Sequence, residues 1–216
     1  MKYKHVIWDW NGTLLDDAWL CVDILNGLLS RRGKAPVTLS GYAEMFRFPV
    51  EDYYRGIGFD FSNGETYHDV TVEFIGIYNK RRFECDLQKD ARKVLEIISD
   101  AGIEQSLLSA YRQDALEEVV RHFGLKKFFI KQKGLEDYYA SGKVETAKDH
   151  AGELGLEGEN VVLLGDTMHD AEVADGIGAS CILVPSGHNS RERLESTGLS
   201  VPDSLMGAAD LLVKGV

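Results

Sequence analysis

The 216-residue sequence predicts an α/β chain built on a doubly wound, mostly parallel sheet, with an α-helical domain inserted after the first strand. Three observations predict this. Short apolar runs alternate with amphipathic stretches of helical length. Runs such as Val161 to Leu164 lack polar alternation, as strands buried on both faces do. The stretch from about Asp16 to Glu84 breaks the rhythm, with helical spacing and no convincing apolar strand. Strand and helix in alternation imply a parallel sheet covered on both faces, a Rossmann-like core.

The first strand is HVIW, ending at Trp8, and Trp8 and Trp10 are expected to pack on opposite sides of it. Asp16 and Asp17 are read as acids at a helix start, where negative charge complements the helix dipole. Helices are expected at Asp23 to Arg32 and Thr66 to Arg82, with shorter pieces around Tyr42 to Met45 and Asp52 to Tyr54. This gives an inserted helical domain over 16–84, leaving 1–15 and 85–216 as the α/β core. Lys89 to Asp100 sets Ala91, Val94, Leu95 and Ile98 on one face and stops before Gly102. Strands then follow at IEQSLLS ending at Ser109, KKFFI ending at Ile130, NVVLLG ending at Gly165 and ASCILV ending at Val184. Helices at Gln113 to Phe123 and Val144 to Leu154 separate the earlier of them. PSGHNSRERL, after the last strand, is read as a polar surface loop leading into a short helix capped by Asn189 or Ser190, from which His188 and Arg191 could approach a substrate.

Composition narrows the function. Lys and Arg total 24 against 35 Asp and Glu, a formal charge of −11. That field repels nucleic acid and anionic membranes, so neither is expected as a partner. The three cysteines, Cys21, Cys85 and Cys181, are widely spaced and form no zinc pattern, which fits a reducing, cytoplasmic setting. The N-terminus carries neither a signal-peptide core nor a span of membrane length. No G-x-G-x-x-G follows the first strand and no GxxxxGK[ST] occurs, so dinucleotide and P-loop chemistry are set aside.

In open parallel sheets the functional groups gather beyond the carboxyl ends of the strands. Asp9, Ser109 with Ala110, and Asp166 lie directly after three of them, Asp170 follows in GDTMHD, and Lys143 opens a later helix. Taken singly these are ordinary turn and cap residues, and Lys148 competes with Lys143. Together they are the set that phosphoryl transfer requires. A carboxylate can attack a phosphoryl group when a cation screens the repulsion, and Mg²⁺ prefers oxygen ligands from one or two carboxylates. A lysine and a hydroxyl then hold the non-bridging oxygens.

The segments DWNGTLLDD (Asp9 to Asp17), LLSAY (Leu107 to Tyr111), GKVE (Gly142 to Glu145) and GDTMHDAEVA (Gly165 to Ala174) resemble the four ordered motifs of the haloacid dehalogenase-like hydrolases, closest to their phosphoglycolate phosphatase-like group with a helical cap. The resemblance implies that Asp9 is phosphorylated during turnover. It also implies that Asp9, the Asn11 carbonyl and Asp166 ligate Mg²⁺, with Asp170 behind them or bound through water. Ser109 and Lys143 would grip the phosphoryl group, and Gly12 and Thr13 would form a tight turn whose amides face the phosphate. The cap would close over the site and read the leaving group, with Arg47 near the substrate, and the substrate would be a small phosphorylated metabolite.

One position departs from the pattern. Phosphatases of this family normally carry a second Asp two residues after the nucleophile, as general acid and base; this chain has Asn11. An amide cannot exchange a proton in that way, and such assistance is worth roughly 10² to 10⁴ in rate. Three readings stand: a phosphatase using a good leaving group or another proton carrier (Asp170, His169 or an acid of the cap), a phosphotransferase on the same scaffold, or a phosphometabolite-binding regulator.

Overall fold

The computed structural model describes residues 2–62, 64–135, 142–156 and 158–214. Its centre is a five-stranded sheet in the order β5-β4-β1-β6-β7, made of β1 (His5–Trp8), β4 (Glu104–Arg112), β5 (Lys131–Leu135), β6 (Val161–Gly165) and β7 (Ser180–Leu183). All four pairings are parallel. Alternate side chains point to opposite faces, so Val6, Trp8 and Trp10 enter one core and Ile7 the other, beside Leu108 and Leu163. Trp8 and Trp10 therefore share a face, contrary to expectation, because residues two apart on an extended chain point the same way. Trp8 also donates from Nε1 to Oε1 of Gln105 at 2.9 Å.

Helices cover both faces: α5 (Ala91–Asp100), α6 (Gln113–His122) and α10 (Leu205–Lys214) on the tryptophan side, α7 (Lys143–Leu154) and α8 (Met168–Gly176) on the other. A short α9 (Arg191–Glu195) follows β7. Periodicity located α5, α6 and α7, each of which buries one stripe, in α5 Ala91, Val94, Leu95 and Ile98, whereas α8 and α10 were not read from the sequence.

The strand expected at KKFFI is the clearest correction. Lys126–Phe128 forms a 3-10 turn, Phe128 and Phe129 are buried, and Ile130 is 54% exposed. The strand is the next segment, KQKGL, which among the described residues pairs only with β4. An edge strand has one covered flank, and this one carries half-exposed lysines, so no apolar run marked it.

Between β1 and α5 the chain forms a two-residue strand β2 (Leu15–Asp16), then α1 (Ala18–Arg31), α2 (Leu39–Met45), α3 (Val50–Gly56) and α4 (Tyr67–Arg81), and returns through β3 (Asp86–Leu87). β2 and β3 pair antiparallel, Leu15 with Leu87 and Asp16 with Asp86, which brings the two crossings together. α1 begins five residues before Asp23 because Ala18, Leu20, Cys21 and Val22 are buried. α4 starts at a capping box in which the Thr66 hydroxyl accepts from the Asp69 amide and the Asp69 carboxylate accepts from Thr66. Arg32 ties the ends of α1 and α4 by bonding both Glu65 and Glu73. No described helix is long and apolar enough to cross a membrane.

Candidate active site

β1 and β6 lie side by side in register, Trp8 opposite Leu164, so the residues that leave their carboxyl ends emerge together. Asp9 is anchored there by its amide, which donates to the Leu164 carbonyl at 2.9 Å. Asp166 follows Gly165 at the end of β6, and Asp170 sits in the first turn of α8, whose Thr167 cap it completes. Lys143 opens α7. All four side chains are buried and meet.

Lys143 Nζ donates to Oδ1 of Asp9 at 2.5 Å and to Oδ1 of Asp170 at 2.7 Å. Thr13 Oγ1 donates to Oδ1 of Asp166 at 2.8 Å, with Oδ2 of Asp9 at 3.3 Å. Carboxylate oxygens of Asp9, Asp166 and Asp170 lie within 4.8 Å of one another. Both oxygens of Asp170 are occupied, Oδ1 by Lys143 and Oδ2 by the amide (3.0 Å) and hydroxyl (2.7 Å) of Thr167. Asp170 therefore acts on the site by holding Lys143.

The electrostatics follow from crowding three carboxylates around one ammonium. Burial, with Asp170 and Asp166 nearby, raises the Asp9 carboxyl well above the ordinary range even against the pull of Lys143. Burial and Asp170 raise Asp166 in the same way. Burial opposes the charge on Asp170, but Lys143 and Thr167 hold its carboxyl low. The cluster thus carries more negative charge than Lys143 balances. An all-oxygen donor set with surplus charge fits a hard divalent cation.

Two residues that sequence reasoning set aside belong to this site. Asp17, read as a helix-start acid, is 1% exposed and makes no cap bond. Its Oδ1 accepts from the Gly12 amide at 2.8 Å, and its Oδ2 accepts from Asn11 Nδ2 at 2.7 Å and from the Tyr78 hydroxyl at 2.6 Å. His188, read as part of a surface loop, is buried; its amide donates to Oδ2 of Asp166 at 2.6 Å and its Nε2 lies 3.3 Å from Oδ1 of Asp17. Burial disfavours the imidazolium, yet Asp17 lifts the His188 pKa to about 9, while His188, Tyr78 and Asn11 hold Asp17 low despite its burial. Tyr42, from α2, meets Nδ1 of His188 at 2.8 Å. The loop that carries His188 leaves the carboxyl end of β7, so the edge rule that found Asp9 and Asp166 also pointed here. No local sequence signal marked Asp17.

The remaining expected residues fall as follows. Gly12 has φ +75°, and a Cβ on it would sit 2.2 Å from Oδ2 of Asp166, so the close approach needs glycine. Its amide faces Asp17 and the Leu15 carbonyl (2.9 Å), not the open site, and Thr13 is buried among the carboxylates. Ser109 lies within β4, past its last paired residue before the register shift; its Oγ accepts from the Tyr111 amide at 3.1 Å and lies 3.5 Å from Oδ1 of Asn11. Ala110 lines the cavity above Asp9, together with Asn11. Arg47 does not: it is exposed, reaching the Asp52 carbonyl at 3.4 Å, while its neighbours Phe46 and Phe48 turn inward. Arg191 pairs with Asp203 at 2.7 Å on the surface. His169 is turned to Glu172 at 2.7 Å and packs on Phe48.

With this geometry in hand, known proteins give the context. In Mycobacterium tuberculosis, tyrosine-protein kinase PtkA is 25% identical over 199 residues, which cover 91% of this chain and 67% of that protein. A 5'-nucleotidase of Pseudomonas aeruginosa is 24% identical over 201 residues, 91% of this chain and 89% of its own. Among solved structures, a predicted phosphatase from Clostridium acetobutylicum superposes with a TM-score of 0.81 at 19% identity, covering 99% of this chain and 100% of that one. A predicted phosphoglycolate phosphatase from Haemophilus somnus gives 0.77 at 14% identity, covering 100% and 99%. The family profile described as haloacid dehalogenase-like hydrolase matches residues 6–184, from the first strand to the last, and on that match the chain belongs to the haloacid dehalogenase-like hydrolases.

Proposed function

We propose that this protein is a Mg²⁺-dependent phosphatase that hydrolyses a small phosphate monoester through an aspartyl-phosphate on Asp9, with 16–84 as its helical cap. The observation that supports it most is Lys143 bridging Asp9 and Asp170 while Asp166 stands alongside, an ammonium and an excess of carboxylate oxygens around one candidate nucleophile. Asp9, the Asn11 carbonyl and Asp166 are the residues to hold Mg²⁺. When bound, the ion would screen Asp9 from the phosphoryl charge and neutralise charge on the transferring oxygens.

The chain's own residues do the rest. A carboxylate oxygen of Asp9 attacks phosphorus, the ester P–O bond breaks, and its electron pair leaves on the alcohol oxygen. Lys143, fixed by Asp170, faces the phosphoryl oxygens beside Asp9, and Ser109 would offer its hydroxyl to the same group. Water then attacks phosphorus, releasing phosphate and restoring Asp9. Asn11 takes no proton in either step, because a carboxamide does not titrate near neutral pH; its Nδ2 instead donates to Asp17 and Tyr78 at 2.7 and 2.8 Å.

The test is phosphate release from an aryl phosphate with Mg²⁺. Asp9→Asn should lower it by roughly 10³-fold or more, and EDTA should stop it. Full activity in either condition refutes the reading. A second reading, transfer to an acceptor other than water, has the tyrosine-protein kinase similarity and Asn11 in its favour. It predicts that added alcohols capture the phosphoryl group in preference to water, measured as the ratio of phosphorylated alcohol to phosphate.

A further inference from the structure

We propose, resting on the Asp9 phosphoryl chemistry above, that the substrate is the phosphate monoester of a small, uncharged aromatic alcohol, an aryl phosphate, and not a carboxylate-bearing ester of the phosphoglycolate kind. The cavity over Asp9 is shaped for a ring. Its volume is about 210 Å³, and the inserted helices furnish most of its wall with rings, including Tyr42, Phe46, Phe48, Tyr54, Phe74 and Tyr78. Several are locked in place by one another: Phe46 lies 5.0 Å from Tyr42, 5.4 Å from Tyr53 and 5.5 Å from Phe48, centroid to centroid. An apolar cavity of about 150 Å³ takes benzene, so this one holds a single ring with the phosphoryl group at its floor.

The cations of the wall are already committed. Lys143 serves Asp9 and Asp170, His188 serves Asp17, and Arg112 bonds Asp114 at 2.6 Å from its Nε. A second anionic group on the substrate would be desolvated against aromatic carbon unless it drew Arg112 away from its exposed pair with Asp114, and without that exchange its burial is costly. An uncharged ring instead gains apolar burial and ring-to-ring contact.

Asn11 cannot donate a proton, Asp170 is filled by Lys143 and Thr167, His169 is turned to Glu172, and His188 is held between Asp17 and Tyr42, so the leaving oxygen departs as an anion. A phenol holds its proton with a pKa of roughly 10, whereas hydroxyls resembling water lie near roughly 16. Phenolate therefore leaves without the acid that an alkoxide needs. In the step proposed, the Asp9 O–P bond forms as the P–O(aryl) bond breaks, the electron pair stays on the phenolate, and solvent protonates it afterwards. The wall and the missing acid select the same class of ester for unrelated reasons.

The test separates the ligand class from the reaction. Calorimetric titration of the full chain at constant free Mg²⁺ compares phenylphosphonate with phosphonoacetate and methylphosphonate, none of which turns over. Steady-state kinetics compare phenyl phosphate with phosphoglycolate and AMP. Phenylphosphonate is expected to bind at least about tenfold tighter than either competitor, and phenyl phosphate to give kcat/KM at least about 100-fold higher. Equal or tighter binding of phosphonoacetate, or equal turnover of phosphoglycolate or AMP, overturns the aryl assignment while leaving hydrolysis intact. Preferential binding of phenylphosphonate with no turnover of any ester supports the ligand class and removes the hydrolase reading.

Discussion

Asn11→Asp restores the acid that the family pattern leads one to expect, and its consequences can be worked from the distances. Asn11 Nδ2 now lies 2.7 Å from Oδ2 of Asp17, so a carboxylate put there would face a buried carboxylate at the same separation. At an effective dielectric near 20, two unit charges at 2.7 Å repel by about 6 kcal/mol, or roughly 4.5 pKa units. The pair must keep one proton at neutral pH, so the new residue is a protonated acid rather than a second anion. The Tyr78 hydroxyl, which accepts from the amide at 2.8 Å, loses that donor at a cost of about 1 kcal/mol. A protonated carboxyl beside Asp9 can give its proton to a departing alkoxide. The expected outcome is a gain of roughly 10² to 10⁴ in kcat on an alkyl phosphate and less than about tenfold on phenyl phosphate. Single-turnover rates on the two esters at pH 7 measure it. A variant whose alkyl-to-aryl ratio equals that of the parent refutes the account of the missing acid.

Two further outcomes concern stability. Lys143→Met leaves Asp9 and Asp170 buried without their ammonium, a loss of about 3 to 5 kcal/mol that lowers Tm by roughly 6 to 20 °C in EDTA, with part recovered by saturating Mg²⁺; a loss under about 1 kcal/mol contradicts the bridging role. His150 is fully buried on Ser106 (2.8 Å), and burial pushes its pKa down from 6.5 to about 4. The unfolded chain then binds the proton more readily, so this contribution is present above pH 6.5 and is lost as pH falls toward about 4, up to about 3 kcal/mol. Urea unfolding at pH 7 and pH 4.5 should give a smaller drop for His150→Phe than for the parent, and equal drops exclude the assignment.

How much was legible in the sequence depended on whether the signal was local. Of the central strands, β6 read plainly because its run is apolar and buried throughout, and β1 nearly so, whereas β4 mixes Gln105, Ser106 and Ser109 into a buried run and showed only through its Leu107–Leu108 centre. β5 did not, because an edge strand needs no such run, and the buried Phe128 and Phe129 just before it imitated one. Asp9, Asp166, Asp170 and Lys143 were found because strand ends converge, a rule of topology that ordered motifs reinforce. Asp17 and His188 escaped because burial and pairing at a separation of 171 residues leave no trace in either local segment. Arg47 erred in the opposite direction: a cation in the right loop, turned outward while its two aromatic neighbours face in.

The same two overlooked residues explain why the inserted helices and the acidic cluster act as one unit. Tyr78, from α4, donates to Asp17 at 2.6 Å, and Tyr42, from α2, meets His188 at 2.8 Å. His188 in turn donates from its amide to Asp166, while Asp17 accepts from the amide of Gly12, in the turn after Asp9. Each phenol bonds a charged, buried partner, an interaction worth about 1.5 to 3 kcal/mol, so drawing the helices away costs both bonds and uncovers an ion pair. Two side chains add to this, with Asn189 Nδ2 from the His188 loop and the Arg193 guanidinium from α9 both donating to the Phe46 carbonyl at the end of α2. A displacement of α2 and α4 therefore cannot leave Asp166 and the Gly12 turn undisturbed: the aromatic wall that would select the ester and the carboxylates that would react with it are held by one hydrogen-bonded chain.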